Sequence, residues 1–488
     1  MKSKFAKGIG IVLLATAGIV AVRTATFAPG DVATADGISL AQAPAFDVQA
    51  AARNLGAAIR FQTVSHQDPA DNKPEEWTKL QAWMQQTYPR AHAAMSRELV
   101  GQSMIFRWQG SDPAAQPIIV MAHQDVVPIT PGTEKDWKRA PFAGEIADGA
   151  VWGRGSIDDK GALIALFEAL EALATQGFKP KRTIILVSGH DEEVGGSGAR
   201  EVASRLAADK VRALFTIDEG SAIIADTPVI NAPAIMIGVA EKGYATIEIK
   251  APAPGGHSSM PPKEIGTVNV AKAMLAIHAR QFPLRIDGPA ASMIEVLAEK
   301  KGGATKAVVA NRWLTGGLLK AQMGSSPSAA AGLHTTIAPT MLQGSPKENV
   351  LPQTATALIN YRIAPWDTSK DVMDRAKAAV RGLPVELSFN RPPREPSPVS
   401  SSTSQGWKLI RKAAEAEAPG AVVSPYLVVA GTDSRSMSPV SDDVYRFAPM
   451  ILKTTETQMI HGTNEHMTLA NLERMVRFYA RLIATSAG

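Results

Sequence analysis

Two glutamates, Glu192 and Glu193, stand side by side just after an apolar run, in Ile-Ile-Leu-Val-Ser-Gly-His-Asp-Glu-Glu-Val-Gly-Gly. Residues 183–188 read as a buried strand. Adjacent carboxylates at a strand end repel each other unless a positive charge sits there. A metal ion supplies that charge, with one glutamate as ligand and the other left to handle a proton. The arrangement recurs along the chain. Residues 117–122 run into His123 and Asp125, and residues 213–217 run into Asp218. A helix is expected from Lys160 to Thr175, between the first two runs. Apolar runs alternating with helices imply a parallel sheet covered on both faces. In such sheets sites gather where the carboxyl ends of the strands meet.

At 488 residues the chain exceeds one ordinary core, so two domains are expected. The pattern changes near Lys242. Residues 244–250 and 355–362 alternate as half-exposed strands do, each followed by a helix candidate, 265–279 and 369–380. This predicts a smaller sheet-and-helix domain inserted into the larger one. The expected division is a catalytic domain from 46–242 and 394–488, with the insertion at 243–393. Residues 283–345 are Gly-, Ser- and Ala-rich and read as irregular, and residues 392–402 as the linker back. A further helix is expected over residues 47–60.

Composition narrows the chemistry. The net charge is only +5, from 51 basic and 46 acidic residues, and no long basic run interleaves with aromatics. Nucleic-acid binding is not indicated. There are no cysteines, so disulfides and thiolate metal sites are excluded and any metal must use His and carboxylate ligands. At the N-terminus Lys2, Lys4 and Lys7 precede an apolar stretch from Gly8 to Val22, closed by Arg23. Residues 1–23 read as a membrane anchor with a cytoplasmic N-terminus and the body outside the cytoplasm, periplasmic or secreted. Residues 24–45 read as a linker. The alternative is a cleaved signal peptide, with small-x-small sites at 33–35 and 41–43.

Five separate segments end in metal-ligand residue types. Two zinc ions need a bridging carboxylate and two further protein ligands each. Asp158 is the expected bridge, with His123 and Asp218 on one ion and Glu193 and His461 on the other. Asp125 would orient His123. Glu192, left without a metal, would be the general base. Cobalt or manganese suits the same donors. Any one element alone is weak evidence; the ordered set is not.

These segments resemble the dinuclear zinc aminoacylase and carboxypeptidase family, which includes glutamate carboxypeptidases, succinyl-diaminopimelate desuccinylases and carboxypeptidase S. The matching motifs are Met-Ala-His123-Gln-Asp125-Val-Val-Pro, Gly-Arg-Gly-Ser-Ile-Asp158-Asp-Lys-Gly, Gly-His-Asp-Glu192-Glu193, Ile-Asp218-Glu-Gly, Gly-Gly-His257-Ser-Ser-Met-Pro and Ile-His461-Gly-Thr-Asn-Glu. Within the family the chain is most similar to carboxypeptidase S and the secreted N-fatty-acyl-amino-acid synthase/hydrolase, through Gly-Thr-Asp433-Ser-Arg435 and Tyr445-Arg-Phe-Ala-Pro among others. The resemblance implies a zinc-exopeptidase-like α/β catalytic domain. It also implies an inserted α+β, ferredoxin-like lid domain that could pair two copies in a homodimer.

Several roles come with that resemblance. His257 would stabilise the oxyanion of the tetrahedral intermediate, reaching a neighbouring subunit's site in a dimer. Asn349 and Arg362 would hold the substrate carboxylate, and Gly431 would offer a backbone amide. A guanidinium suits bidentate capture of a carboxylate, although Arg362 also fits an edge-strand guard. Arg435 and Asp433 could pair with each other or meet substrate.

The expected activity is hydrolysis of an amide next to a free α-carboxylate, in N-acyl-amino acids or in short peptides. A non-catalytic zinc-dependent binding protein is the reading from another class, and the intact Glu192 argues against it. Residues 314–323, rich in Ala, Leu and Met, could line an acyl groove or form a core helix.

Overall fold

The computed structural model describes the backbone of residues 2–488, and the side chains of residue 9 and of residues 11–488. The three apolar runs form strands β1 (Ile118–Met121), β2 (Ile184–Ser188) and β3 (Phe215–Asp218). Every residue of the three is buried. Their continuous hydrophobicity therefore reflects cover on both faces. β1 pairs in parallel with β2 on one side and β3 on the other. The helix Lys160–Thr175 forms at the expected bounds and packs on this sheet with the C-terminal helix Leu469–Ala487.

The whole sheet has ten strands and is mixed, with five parallel pairings and four antiparallel ones. Ser96–Val100 and Ser103–Trp108 form an antiparallel edge against β2. On the other side lies a long strand, β4 (Ala232–Glu241), with Ile223–Thr227 and then Ile451–Leu452 beyond it at the edge.

After β4 the chain enters a second, four-stranded antiparallel sheet. It contains β5 (Gly243–Pro252), β6 (Thr336–Gln343) and β7 (Thr354–Ile363), with Glu386–Phe389 at the edge beside β5. In β7 burial alternates at every residue. Ala355, Ala357, Ile359, Tyr361 and Ile363 face the helices Gly266–Ala279 and Ser369–Ala379 and make a separate core. That is the half-exposed pattern expected of a sheet covered on one face. The last strand of interest, β8 (Val444–Arg446), returns beside β3 in parallel.

Three sequence expectations need correction. Residues 283–345 are not irregular. They hold the helices Gly288–Lys301, Gly303–Ala310, Arg312–Gly324 and Pro327–Ala331 before β6. Arg312–Gly324 buries none of its residues, and Trp313, Leu314 and Leu318 are exposed, so it is not a core helix.

Second, residues 24–45 are not a free tether. Ala35 is buried, Val32, Ile38 and Leu40 pack on the main core, and Trp407 Nε1 donates to Ala33 O at 3.0 Å.

Third, a membrane anchor is not supported. The N-terminal helix, Lys2–Ala25, does form, but among the described residues no helix is long and apolar enough to cross a membrane. The apolar run from Gly8 to Val22 spans roughly 23 Å as a helix, short of a hydrocarbon core of about 30 Å. Its end is also tied to the protein: Arg23 Nε donates to Ala310 O at 3.3 Å and Asn311 Nδ2 to Val20 O at 3.4 Å. The side chains of Lys2, Lys4 and Lys7 lie outside the described residues.

Candidate metal centre

The parallel order β2–β1–β3 brings three strand ends together. His123 follows β1, the turn Glu192–Val194 follows β2, and Asp218 closes β3 with Glu219 next. Asp158 arrives from the turn before the helix Lys160–Thr175. His461 arrives from a C-terminal loop, where it has φ +60°.

Two donor groups result, and they share Asp158. His123 Nε2 lies 3.0 Å from Asp158 Oδ1 and 3.8 Å from Glu219 Oε1. His461 Nε2 lies 3.1 Å from Asp158 Oδ2 and 2.9 Å from Glu193 Oε2. Within each group the ligand atoms all lie within 4.8 Å of one another. Asp158 thus turns one oxygen to each group.

Here the structure differs from the sequence expectation. The carboxylate beside His123 and Asp158 is that of Glu219, whereas Asp218 is buried with Oδ2 accepting the Ser434 N–H at 2.9 Å. The two are adjacent in Asp-Glu-Gly, and sequence spacing does not tell which one faces the site.

Asp125 is fully buried and does more than orient a ring. Its Oδ1 lies 3.2 Å from His123 Nδ1. The same carboxylate accepts the backbone N–H groups of Glu192 at 3.2 Å and Glu193 at 3.1 Å, and the Ser65 hydroxyl at 2.6 Å. It pins the Glu192–Glu193 turn against His123. Residues within its reach come from three segments, which no local motif reveals.

Sequence reasoning gave Glu465 no role, though it lies in the same motif as His461. It is fully buried, and its Oε1 accepts the N–H groups of Ile157 at 2.8 Å and Asp158 at 3.2 Å. Its Oε2 pairs with the buried Arg154 at 2.8 Å, and Arg154 also donates to His461 O at 3.2 Å. One carboxylate therefore holds the Asp158 turn and the His461 loop together.

The donor set fits divalent cations. Asp158, Asp159, Glu192, Glu193 and Glu219 converge, and among the described residues none has a Lys or Arg ion pair. Glu193 Oε1 is buried with no hydrogen-bond partner. Burial pushes the Glu193 carboxyl up to about 7, reinforced by Asp158. Burial raises Glu192 well above the ordinary range, with repulsion from Asp433, Glu193 and Asp158 added. The hydrogen bonds to Asp158 and Glu193 raise His461 to about 10. Buried like charges at this density are costly unless cations compensate them.

The other expected residues fall in two places. His257 is exposed, with Nδ1 2.7 Å from Ser259 Oγ. It pairs with Val350 across a short ladder, and Asn349 lines the same cleft. Asn349 Oδ1 is buried there without a partner. This cleft lies at the Thr354 end of β7, whereas Arg362 lies at the other end, roughly 27 Å along the strand. One copy of the chain does not bring the two places together. Arg362 sits with its guanidinium carbon 5.0 Å from the Tyr244 ring centre. Arg435 pairs with Glu241 rather than with Asp433, and Gly431 packs beside it.

Comparison with known proteins gives the family of the chain. Residues 119–485 match the model of peptidase family M20/M25/M40. The probable carboxypeptidase S-like 2 of Dictyostelium discoideum is 33% identical over 441 residues, 88% of this chain and 84% of that protein. The N-fatty-acyl-amino acid synthase/hydrolase PM20D1 of Xenopus tropicalis is 34% identical over 440 residues, 88% and 85% of the two chains. In fold the chain is similar to the M20 family metallo-carboxypeptidase Sso-CP2 of Sulfolobus solfataricus. The TM-score is 0.65 at 16% identity, covering 89% of this chain and 99% of that one. A family match over most of the chain, relatives at a third identity and a donor set suited to divalent cations lead to one conclusion: the chain belongs to peptidase family M20/M25/M40 and is a metal-dependent hydrolase.

Proposed function

We propose that this enzyme hydrolyses the amide bond of N-acyl-amino acids, fatty-acyl ones included, next to a free α-carboxylate. The observation that carries the reading is the sharing of Asp158 between two donor groups, with Glu192 beside them and in neither. His123, Asp158 and Glu219 would hold one divalent cation, with Asp218 behind them. Asp158, Glu193 and His461 would hold a second. Zinc is the first choice, and cobalt or manganese fits the donors equally. Bound there, the ions would supply Lewis acidity and an acidified water near neutral pH.

The chain's own residues do the rest. Glu192 takes the proton from the attacking water and returns it to the leaving amine. Asp125 keeps the Glu192 turn and the His123 ring in register. Arg362 grips the α-carboxylate. His257 and Asn349 serve as oxyanion and carboxylate contacts from the inserted domain of a second copy. Their exposure in a cleft far from Arg362 supports this homodimer arrangement, and Gly431 offers a backbone amide near the carboxylate. The division at 46–242, 243–393 and 394–488 belongs to the same reading, as does an extracytoplasmic location drawn from the N-terminal sequence.

Carboxypeptidase action on short peptides is the second reading, favoured by the carboxypeptidase S-like relatives. The exposed Trp313, Leu314 and Leu318 favour a fatty-acyl chain instead. The test follows amine release from N-oleoyl-amino acids, N-acetyl-amino acids and dipeptides, with and without chelator. Chelator-sensitive cleavage of acyl-amino acids supports the first reading, and dipeptide preference supports the second. Metal binding without turnover on any of them would favour a binding protein.

A further inference from the structure

Where the chain passes into and out of the inserted sheet, three strands lie side by side. Tyr244 pairs with Arg362 on one side. On the other it exchanges two backbone hydrogen bonds with Arg394, both 2.8 Å. Directly paired residues point to the same face, so Arg362, Tyr244 and Arg394 form a row. A third guanidinium joins them: Arg391 has its guanidinium carbon 5.2 Å from the Tyr244 ring centre and donates to the Tyr244 hydroxyl at 3.4 Å.

The row lies against the catalytic turn. Arg394 Nη2 donates to Gly195 O, three residues beyond Glu192. Burial, with repulsion from Arg435, Arg200 and Arg391, lowers the Arg394 guanidinium, and Glu192 acts in the opposite sense.

These three guanidiniums are not neutralised. Among the described residues none of Arg362, Arg391 and Arg394 has a carboxylate within 4.0 Å, and Arg362 donates no side-chain hydrogen bond, although it is only partly exposed. The neighbouring arginines behave differently: Arg435 and Arg446 both pair with Glu241. Arg391 repels Arg394, and Arg435 repels Arg362. The arrangement stores a demand for anionic charge greater than one α-carboxylate meets.

We propose that Arg391 and Arg394 form, beside Arg362, a second anion subsite that selects amino-acid head groups bearing a side-chain carboxylate. Resting on the reading that Arg362 takes the α-carboxylate, the subsite takes the second acid group of an aspartate- or glutamate-type leaving amine. A charge-assisted, bidentate contact distinguishes carboxylate from the isosteric amide. The Tyr244 ring gives the Arg362 and Arg391 guanidiniums a shared aromatic partner, with its centre 5.0 and 5.2 Å from their guanidinium carbons.

The test compares kcat/KM for N-acyl-glutamate, N-acyl-glutamine and N-acyl-leucine carrying one acyl chain, with the metal-loaded enzyme. The native enzyme should prefer glutamate to glutamine by about tenfold or more. Arg391→Ala and Arg394→Ala should each bring that ratio towards one. Arg394 also supports the Gly195 turn, so its variant will slow every substrate; the ratio, and the exposed Arg391, carry the test. A native ratio at or below one, or a ratio unmoved in both variants, overturns the subsite. Equal losses on all three substrates would make Arg394 a support of the Glu192 turn alone, and would overturn it as well. If no N-acyl-amino acid is cleaved, the proposed function fails. Calorimetry of free glutamate against glutamine then decides the subsite, and equal binding of the two refutes it.

Discussion

Glu465→Gln isolates one charge in the interior and tests whether the two halves of the centre depend on it. The substitution keeps an acceptor for the Ile157 and Asp158 amides, at 2.8 and 3.2 Å in the native protein. It removes the negative charge 2.8 Å from Arg154, which is 2% exposed. Breaking a buried pair by neutralising one partner costs about 3–5 kcal/mol, because the remaining ion stays desolvated. The carbonyl of His461 is the other acceptor for Arg154 and offsets part of this. The expected loss is therefore at the lower end, about 3 kcal/mol, a large share of a total near 5–15 kcal/mol. Urea unfolding of the metal-free protein reads it. Competition with a chromophoric chelator should show metal affinity falling about 10–100-fold, since the Asp158 turn and His461 loop lose their common support. In the double variant Arg154→Met with Glu465→Gln, which leaves no unpaired charge and keeps the acceptor for both amides, the loss should be smaller than in either single variant. A Glu465→Gln protein within about 0.5 kcal/mol of native, with unchanged metal affinity, would refute the reasoning.

Four further outcomes follow from the same geometry. Glu192→Gln should lower turnover by about 10²–10⁴-fold with metal content unchanged by elemental analysis, because Glu192 belongs to neither donor group. His257→Ala should lower kcat by about 10²–10³-fold with little change in KM, and mixing it with a Glu192→Gln protein should restore part of the activity if the two act across a dimer. Metal affinity should rise with pH. His461, raised to about 10, and Glu193, at about 7, hold protons that a ligand must release, so binding near neutral pH should liberate protons measurable by calorimetry in two buffers. Lys242 is lowered to about 7 by burial and by Arg362. Between pH 7 and 10.5 the unfolded chain holds a proton that the folded chain lacks, so this group makes stability rise with pH across that window. Lys242→Met should flatten the rise in urea midpoints, and an unaltered slope would remove Lys242 as its source.

How much of the site was legible follows from how each residue is held. His123, Asp158, Glu193 and His461 lie in short motifs at strand or helix ends, and local composition marks them. Asp218 and Glu219 show the limit of that signal. One residue of rotation at a strand end decides which side chain faces the centre, and adjacent acids look alike in sequence. Glu465 and Arg394 were not legible. Their partners are 307 and 199 residues away, and no periodicity records such a pairing.

The sequence by itself determined the alternation of buried strands and helices, the strictly alternating β7, and the types of donor available. Hydrophobic period and residue chemistry are local properties, and they survive in a one-dimensional reading. Tertiary structure decided the rest. It made the sheet mixed, because edge strands pair by position and not by composition. It turned residues 283–345 into helices, of which Gly288–Lys301 buries Ala290, Ile294, Leu297 and Ala298 while Arg312–Gly324 buries none of its residues. It placed His257 in a cleft at the Thr354 end of β7 and Arg362 near the other end, because a strand separates residues by a fixed rise that the order of motifs does not disclose.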